Sequence, residues 1–105
     1  ACPQPNCDSG PRYLKQLDTQ ITYDANCQAA GIDGSSELCV AATTQDTACY
    51  GDSGGPALLN SSGRWLLTGA TSRSGGTNST CGADGSVIYT DVAAHRNWIS
   101  YYLQF

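Results

Sequence analysis

Apolar residues in this chain fall in short bursts between polar, glycine-rich stretches. "RWLLTGATS" at 64–72 reads as the strongest strand, and Gly69 within it predicts a bend or bulge. "PALLN" at 56–60 predicts a strand opening on proline, where a missing N–H does least harm. The "SSG" between these two segments predicts a hairpin turn. "LCVAAT" at 38–43 and "VIYTDV" at 87–92 predict two more strands. Imperfect alternation through Tyr13, Leu14, Leu17 and Ile21 places another around Tyr13–Asp18. The Ala-rich "YDANCQAA" at 23–30 predicts a short helix capped by Asp24. Near the C-terminus, Trp98, Ile99, Tyr102 and Leu103 predict a terminal helix.

The connecting stretches are loops by composition. "ACPQPNCDSGP" at 1–11 carries three prolines and no periodicity, which predicts a surface loop. "GIDGSSE" is a turn, while "TTQDTACYGDSGG" and "RSGGTNSTCGADGS" are longer irregular segments. Short strands, tied loops and one terminal helix suit a closed barrel of antiparallel strands.

Composition narrows the picture further. A chain of 105 residues suits one domain with a modest core. Only 13% of residues are charged and twelve are glycine, which favours strands and loops over solvated helices. The net charge of −4 and the lack of a basic stripe argue against nucleic acid and anionic membranes as partners. No apolar run approaches the ~18 residues of a membrane-spanning helix. Six cysteines beside a single histidine point to disulfides and an oxidising compartment. A metal site is the competing reading. The spacings Cys2-x4-Cys7, Cys27-x11-Cys39 and Cys49-x31-Cys81 lack the close pairs that zinc favours. Six cysteines allow about 15 pairings, and spacing alone does not choose among them. Asn60 and Asn78 each open an N-x-[ST] triplet in a predicted loop; Ser-rich loops also produce such triplets by chance.

The candidate chemistry sits in "CYGDSGGP" at 49–56. Glycines at 51, 54 and 55 permit sharp turns that aim successive backbone N–H groups inward, a nest able to hold an oxyanion. Ser53 is the candidate nucleophile. The same residues also fit an ordinary glycine-rich surface turn. Serine needs a base to take its proton. The one histidine, His95, lies in the predicted terminal helix, where a surface role is the commoner outcome. Asp52 has no Lys or Arg nearby in sequence to neutralise it if buried.

Three segments together resemble the C-terminal half of a chymotrypsin-like, trypsin-type serine protease. They are "DTACYGDSGGP" (46–56), "TGATS" (68–72) and "YTDVAAHRNWI" (89–99), in the family's order. The resemblance implies an all-β fold: the second six-stranded antiparallel barrel of a double barrel, ending in a helix. It divides the chain into a remnant of the inter-barrel loop (1–13), the barrel (14–92) and the terminal helix (93–105). Ser53 resembles the catalytic serine, and the Gly51 and Ser53 N–H groups its oxyanion hole. Asp52 matches the aspartate that pairs with an activating N-terminal ammonium. Cys27 with Cys39, and Cys49 with Cys81, match two family disulfides; Cys2 and Cys7 are left to pair with each other or outside the chain. Ser72 matches the serine that hydrogen-bonds the catalytic aspartate.

The family's histidine and aspartate belong to the first half of its fold. The resemblance therefore implies an N-terminal chain as partner, a cut before Ala1, and no hydrolysis by this chain alone. Asp46 matches the acid that selects Arg or Lys from the pocket floor, and Tyr50 flanks the pocket entrance. Arg73-Ser74 stands where the family has Trp-Gly, and Arg73 there would favour acidic groups beside the scissile bond. Val87 or Ser86 stands in place of a wall glycine; a valine would favour small side chains, and Asp84 is a second nearby acid. The expected protein is a secreted, extracellular endopeptidase cleaving peptides or proteins after Arg or Lys, subject to protein inhibitors and needing no cofactor. The alternatives are a protease for small side chains and a non-catalytic, protease-like binding protein.

Overall fold

The computed structural model describes residues 14–103. Cys2, Cys7 and the proposed loop remnant at 1–13 lie outside that range. Five strands form one curled antiparallel sheet, a half-barrel, in the order β1-β2-β5-β4-β3. They are β1 (Ile21–Thr22), β2 (Glu37–Ala41), β3 (Pro56–Ser61), β4 (Arg64–Ser74) and β5 (Ser86–Asp91). A 3-10 turn at Ala93–His95 leads into the terminal helix α1 (Arg96–Tyr102).

Of the strand expected around Tyr13–Asp18, Tyr13 lies outside the described residues, and residues 14–20 are irregular. The ladder explains why. Ile21 pairs with Val40 and Thr22 with Cys39, so earlier residues run past the end of β2 at Ala41. The short helix is present as a 3-10 helix, Asp24–Ala30. Asp24 is not its cap: Tyr23 holds that position, and no side chain caps the end. Gly31 terminates the helix at φ +71°, a left-handed conformation that glycine adopts at least cost.

β3 and β4 are joined by Ser62-Gly63, both at positive φ (52° and 84°), the geometry of a tight two-residue hairpin turn. Asn60 lies within β3, not in a loop, and its Oδ1 accepts the Gly63 N–H at 3.0 Å. The ladder skips Thr68 beside Gly69, so the irregularity predicted at Gly69 is a bulge. A second bulge leaves Ser72 unpaired between Thr71↔Tyr89 and Arg73↔Ile88.

That second bulge sorts the side chains. Residues directly opposite each other share a face of the sheet. Arg73, Ile88, Cys39 and Glu37 therefore lie on one face, and Thr71, Tyr89, Ser74, Val87 and Val40 on the other. Val40 and Val87 are buried on the second face, while the first carries the fully buried cluster. Cys27, Cys39 and Ile88 are fully buried there, with Ala30 and Ile32 packed against them. The disulfide Cys27–Cys39 fastens the 3-10 helix onto this face, and Ser86 Oγ donates to the Asn26 carbonyl at 2.9 Å.

Candidate active site

The loop from Cys49 to Pro56 is built from two reverse turns. Asp52 N–H donates to the Cys49 carbonyl at 3.0 Å, and Gly55 N–H to the Asp52 carbonyl at 2.9 Å. Gly51 (φ +91°) and Gly54 (φ +83°) take left-handed conformations that strain other residues. Gly55 is required for space, since a Cβ there would sit 2.9 Å from the Asp52 carbonyl oxygen. Half-buried Asp52 braces the loop from inside: its Oδ2 accepts the Cys49 N–H at 2.7 Å.

Strand β4 then holds the loop in place. Gly54 N–H donates to the Thr71 carbonyl at 2.8 Å, and Thr71 N–H to the Gly55 carbonyl at 2.9 Å. Thr71 Oγ1 donates to the same Gly55 carbonyl at 3.1 Å. Ser53 sits at the exposed apex. Among the described residues, no hydrogen bond engages its hydroxyl, its N–H or the Gly51 N–H.

Across from this loop lies the segment 75–85. The disulfide Cys49–Cys81 and a 3.0 Å hydrogen bond from Tyr50 OH to the Ser79 carbonyl join the two. Gly82 passes so close to Thr43 that a Cβ would lie 2.0 Å from its carbonyl oxygen. Asp46 is in the bend beside Thr43: its N–H donates to Thr43 Oγ1 and its carbonyl accepts the Thr43 N–H, both at 3.0 Å. Its side chain is exposed.

Of the wall residues, Val87 is buried on the face shared with Thr71 and lies directly opposite Ser74. Ser86 is buried too but faces the 3-10 helix. Ser74 Oγ donates to Asp84 Oδ2 at 3.2 Å, and Asn78 N–H donates to the same oxygen at 3.0 Å. A Cβ on Gly76 would fall 2.3 Å from the Asp84 carboxyl carbon, so only glycine lets the acid approach. Half-buried Ser72 occupies the bulge.

Arg73 departs from the expectation of a cation offered to substrate. The bulge turns it onto the opposite face, where it forms an ion pair with Glu37. The Arg73 hydrogen bond, chiefly, holds the Glu37 carboxyl below its ordinary value. His95 is likewise committed elsewhere, with Nδ1 2.9 Å from the Asp91 carbonyl oxygen.

Sequence reasoning did not assign Thr71 or Glu37 to the site. Thr71 was legible only through the loop it anchors. Glu37 is separated from Arg73 by 36 residues and meets it only through the sheet order.

A glycine-turned serine loop braced by a disulfide and seated on a curled antiparallel sheet defines a chymotrypsin-like serine protease domain. The trypsin family model matches residues 3–99, and the chain belongs to that family. It is similar to spermosin of Halocynthia roretzi, 30% identical over 97 residues, covering 90% of this chain and 24% of that protein. It is 34% identical over 95 residues to a chymotrypsin-like serine proteinase of Haliotis rufescens, covering 85% of this chain and 34% of that one. It is 33% identical over 93 residues to CLIP domain-containing serine protease B14 of Anopheles gambiae, covering 82% and 24%. The chain thus spans a quarter to a third of the length of these relatives.

Proposed function

We propose that this chain is the C-terminal part of a secreted serine endopeptidase, carrying its nucleophile, oxyanion site and primary pocket. The observation that carries this reading is the Cys49–Gly55 loop, in which no described residue engages the Ser53 hydroxyl or the Gly51 and Ser53 N–H groups. A peptide carbonyl placed there would be attacked by Ser53 Oγ while its oxygen accepts both N–H bonds. The Ser53 proton needs a base, and His95 is this chain's one histidine. The base and its orienting aspartate are therefore assigned to an N-terminal chain. That histidine would return the proton to the leaving amine, and water would then release the acyl group. Asp52 acts as the brace of the loop. The disulfides support an extracellular setting.

The sheet, open among the described residues, supports the two-part assembly. β1 and β3 are the edge strands, and a strand from the N-terminal chain between them would complete a six-stranded barrel. For specificity, Asp46 supports cleavage after Arg or Lys, and Asp84 adds a second acid beside Ser74. A second reading, cleavage after small side chains, is favoured by Val87, which stands opposite Ser74 on the site face. Peptides differing only in the residue before the scissile bond, Arg or Lys against Ala or Val, separate the two.

The central test is labelling of the assembled protein with a serine-directed phosphonate. One adduct on Ser53 is expected, absent in Ser53→Ala, with turnover of Ser53→Ala lower by about 10⁶-fold. An assembled protein that takes no label would sink the proposal and favour a non-catalytic binding protein.

A further inference from the structure

Arg73 holds three groups at once. It pairs with both carboxylate oxygens of Glu37, and its Nη2 donates to the carbonyls of Ala30 at 3.2 Å and Gly31 at 3.4 Å. To reach them it crosses β5, because β4 pairs with β5 and β5 with β2. Its row across the sheet is Arg73, Ile88, Cys39, and Cys39 is the residue bonded to Cys27 in the 3-10 helix. The guanidinium thus spans from β4 to the C-terminal end of that helix, whose last carbonyls lack partners within the helix. Glu37 is itself fixed, since its Oε1 also accepts the Asp33 N–H at 2.8 Å.

The Arg73 side chain is 40% exposed, so the pair adds little to overall stability. Its geometric effect is larger. A planar fork held by a carboxylate and two carbonyls fixes a direction, which a flexible ammonium does not. The residue it fixes lies directly after the bulged Ser72, and directly before Ser74 and its bond to Asp84.

We infer that Arg73, held by Glu37 and the Ala30 and Gly31 carbonyls, is a positioning residue that sets the Ser72–Ser74 edge against the backbone of an extended substrate. This rests on the endopeptidase reading, in which β4 is the strand that pairs with substrate. Arg73 then acts through β4, from the face opposite the pocket. It is not a cation offered to acidic substrate groups, because Glu37 neutralises it where it stands.

The test compares two substrates on the assembled protein. A single-residue ester reaches only the primary pocket, whereas a tetrapeptide amide also lies along β4. Arg73→Met is expected to lower kcat/KM on the tetrapeptide about tenfold more than on the ester, mostly through KM. Arg73→Lys should restore part of that difference, since an ammonium cannot hold Glu37 and both carbonyls. Glu37→Gln should shift the ratio in the same direction, and Arg73→Met with Glu37→Gln should be no worse than Arg73→Met alone. Equal losses on both substrates, or no loss on either, would overturn the positioning role while wild type stays active. Wild type inert toward both substrates and the phosphonate would instead refute the endopeptidase reading underneath it.

Discussion

Two regions of this small chain solve the problem of burial in opposite ways. The 3-10 helix, β2 and β5 form a closed unit: Cys27, Cys39 and Ile88 are fully buried, a disulfide locks the helix down, and the Arg73–Glu37 pair closes the rim. The β3–β4 hairpin has no such cover. Leu58 faces Leu67 on one side and Leu59 faces Leu66 on the other, and all four are exposed. Trp65 and, on α1, Trp98 are also exposed. A hairpin with leucine on both faces needs two coverings, and the described residues supply neither completely. The first region is covered by its own residues, whereas the second stays exposed on both faces among the described residues.

Mutations sharpen or break that contrast. Replacing Cys27 and Cys39 by alanine should cost the most, about 3–5 kcal/mol in denaturant unfolding, because the core and a cross-link go together. Ile88→Ala should follow at about 3 kcal/mol, from the cavity left beneath the disulfide. Leu67→Ala should cost under about 0.5 kcal/mol in the 105-residue chain, as an exposed position does. Measured again in the assembled protein it should cost about 2 kcal/mol or more, as a buried leucine does. Equal values in both settings would erase the distinction between the regions. The smallest effect belongs to Glu37→Gln, a few tenths of a kcal/mol at neutral pH.

That last variant has a signed pH dependence. The Glu37 carboxyl is held low chiefly by its hydrogen bond to Arg73 and then by the Asp33 N–H, with burial and the Asp33 charge opposing. Its contribution is therefore fully present above the usual glutamate range and is lost as pH falls through the lowered folded value. Wild type should lose its advantage over Glu37→Gln in thermal melts as the pH falls below that range, and keep it at pH 7.

Legibility in the sequence followed the range of the interaction. Strands β2 to β5 were visible because apolar bursts and turn residues are local signals. The Tyr13–Asp18 strand misled because Leu14 and Leu17 carry the pattern, while their partner edge ends at Ala41. Asp24 looked like a cap by residue type, but it is already the first residue of the 3-10 helix, and Tyr23 holds the cap position. At the site, "CYGDSGGP" announced its tight loop through glycines that only one backbone shape explains. The Thr71 anchor, the Arg73–Glu37 pair and the Ser74–Asp84 bond were hidden. Each joins residues 10 to 36 positions apart, and nothing along the chain marks which ones meet.

The bulge at Ser72 makes the facing of β4 a matter of parity. Side chains along a strand alternate between its two faces. One surplus residue therefore exchanges the assignment of everything beyond it. The lone skipped position makes Thr71 and Arg73, two apart in sequence, look in opposite directions. Pairing Ser72 into a regular ladder would return the guanidinium to the face of Thr71 and carry Ser74 away from Val87, whereas deleting Ser72 would leave both where they are. Which side chains face the candidate site is thus decided by whether the surplus residue is bulged or paired as much as by residue type.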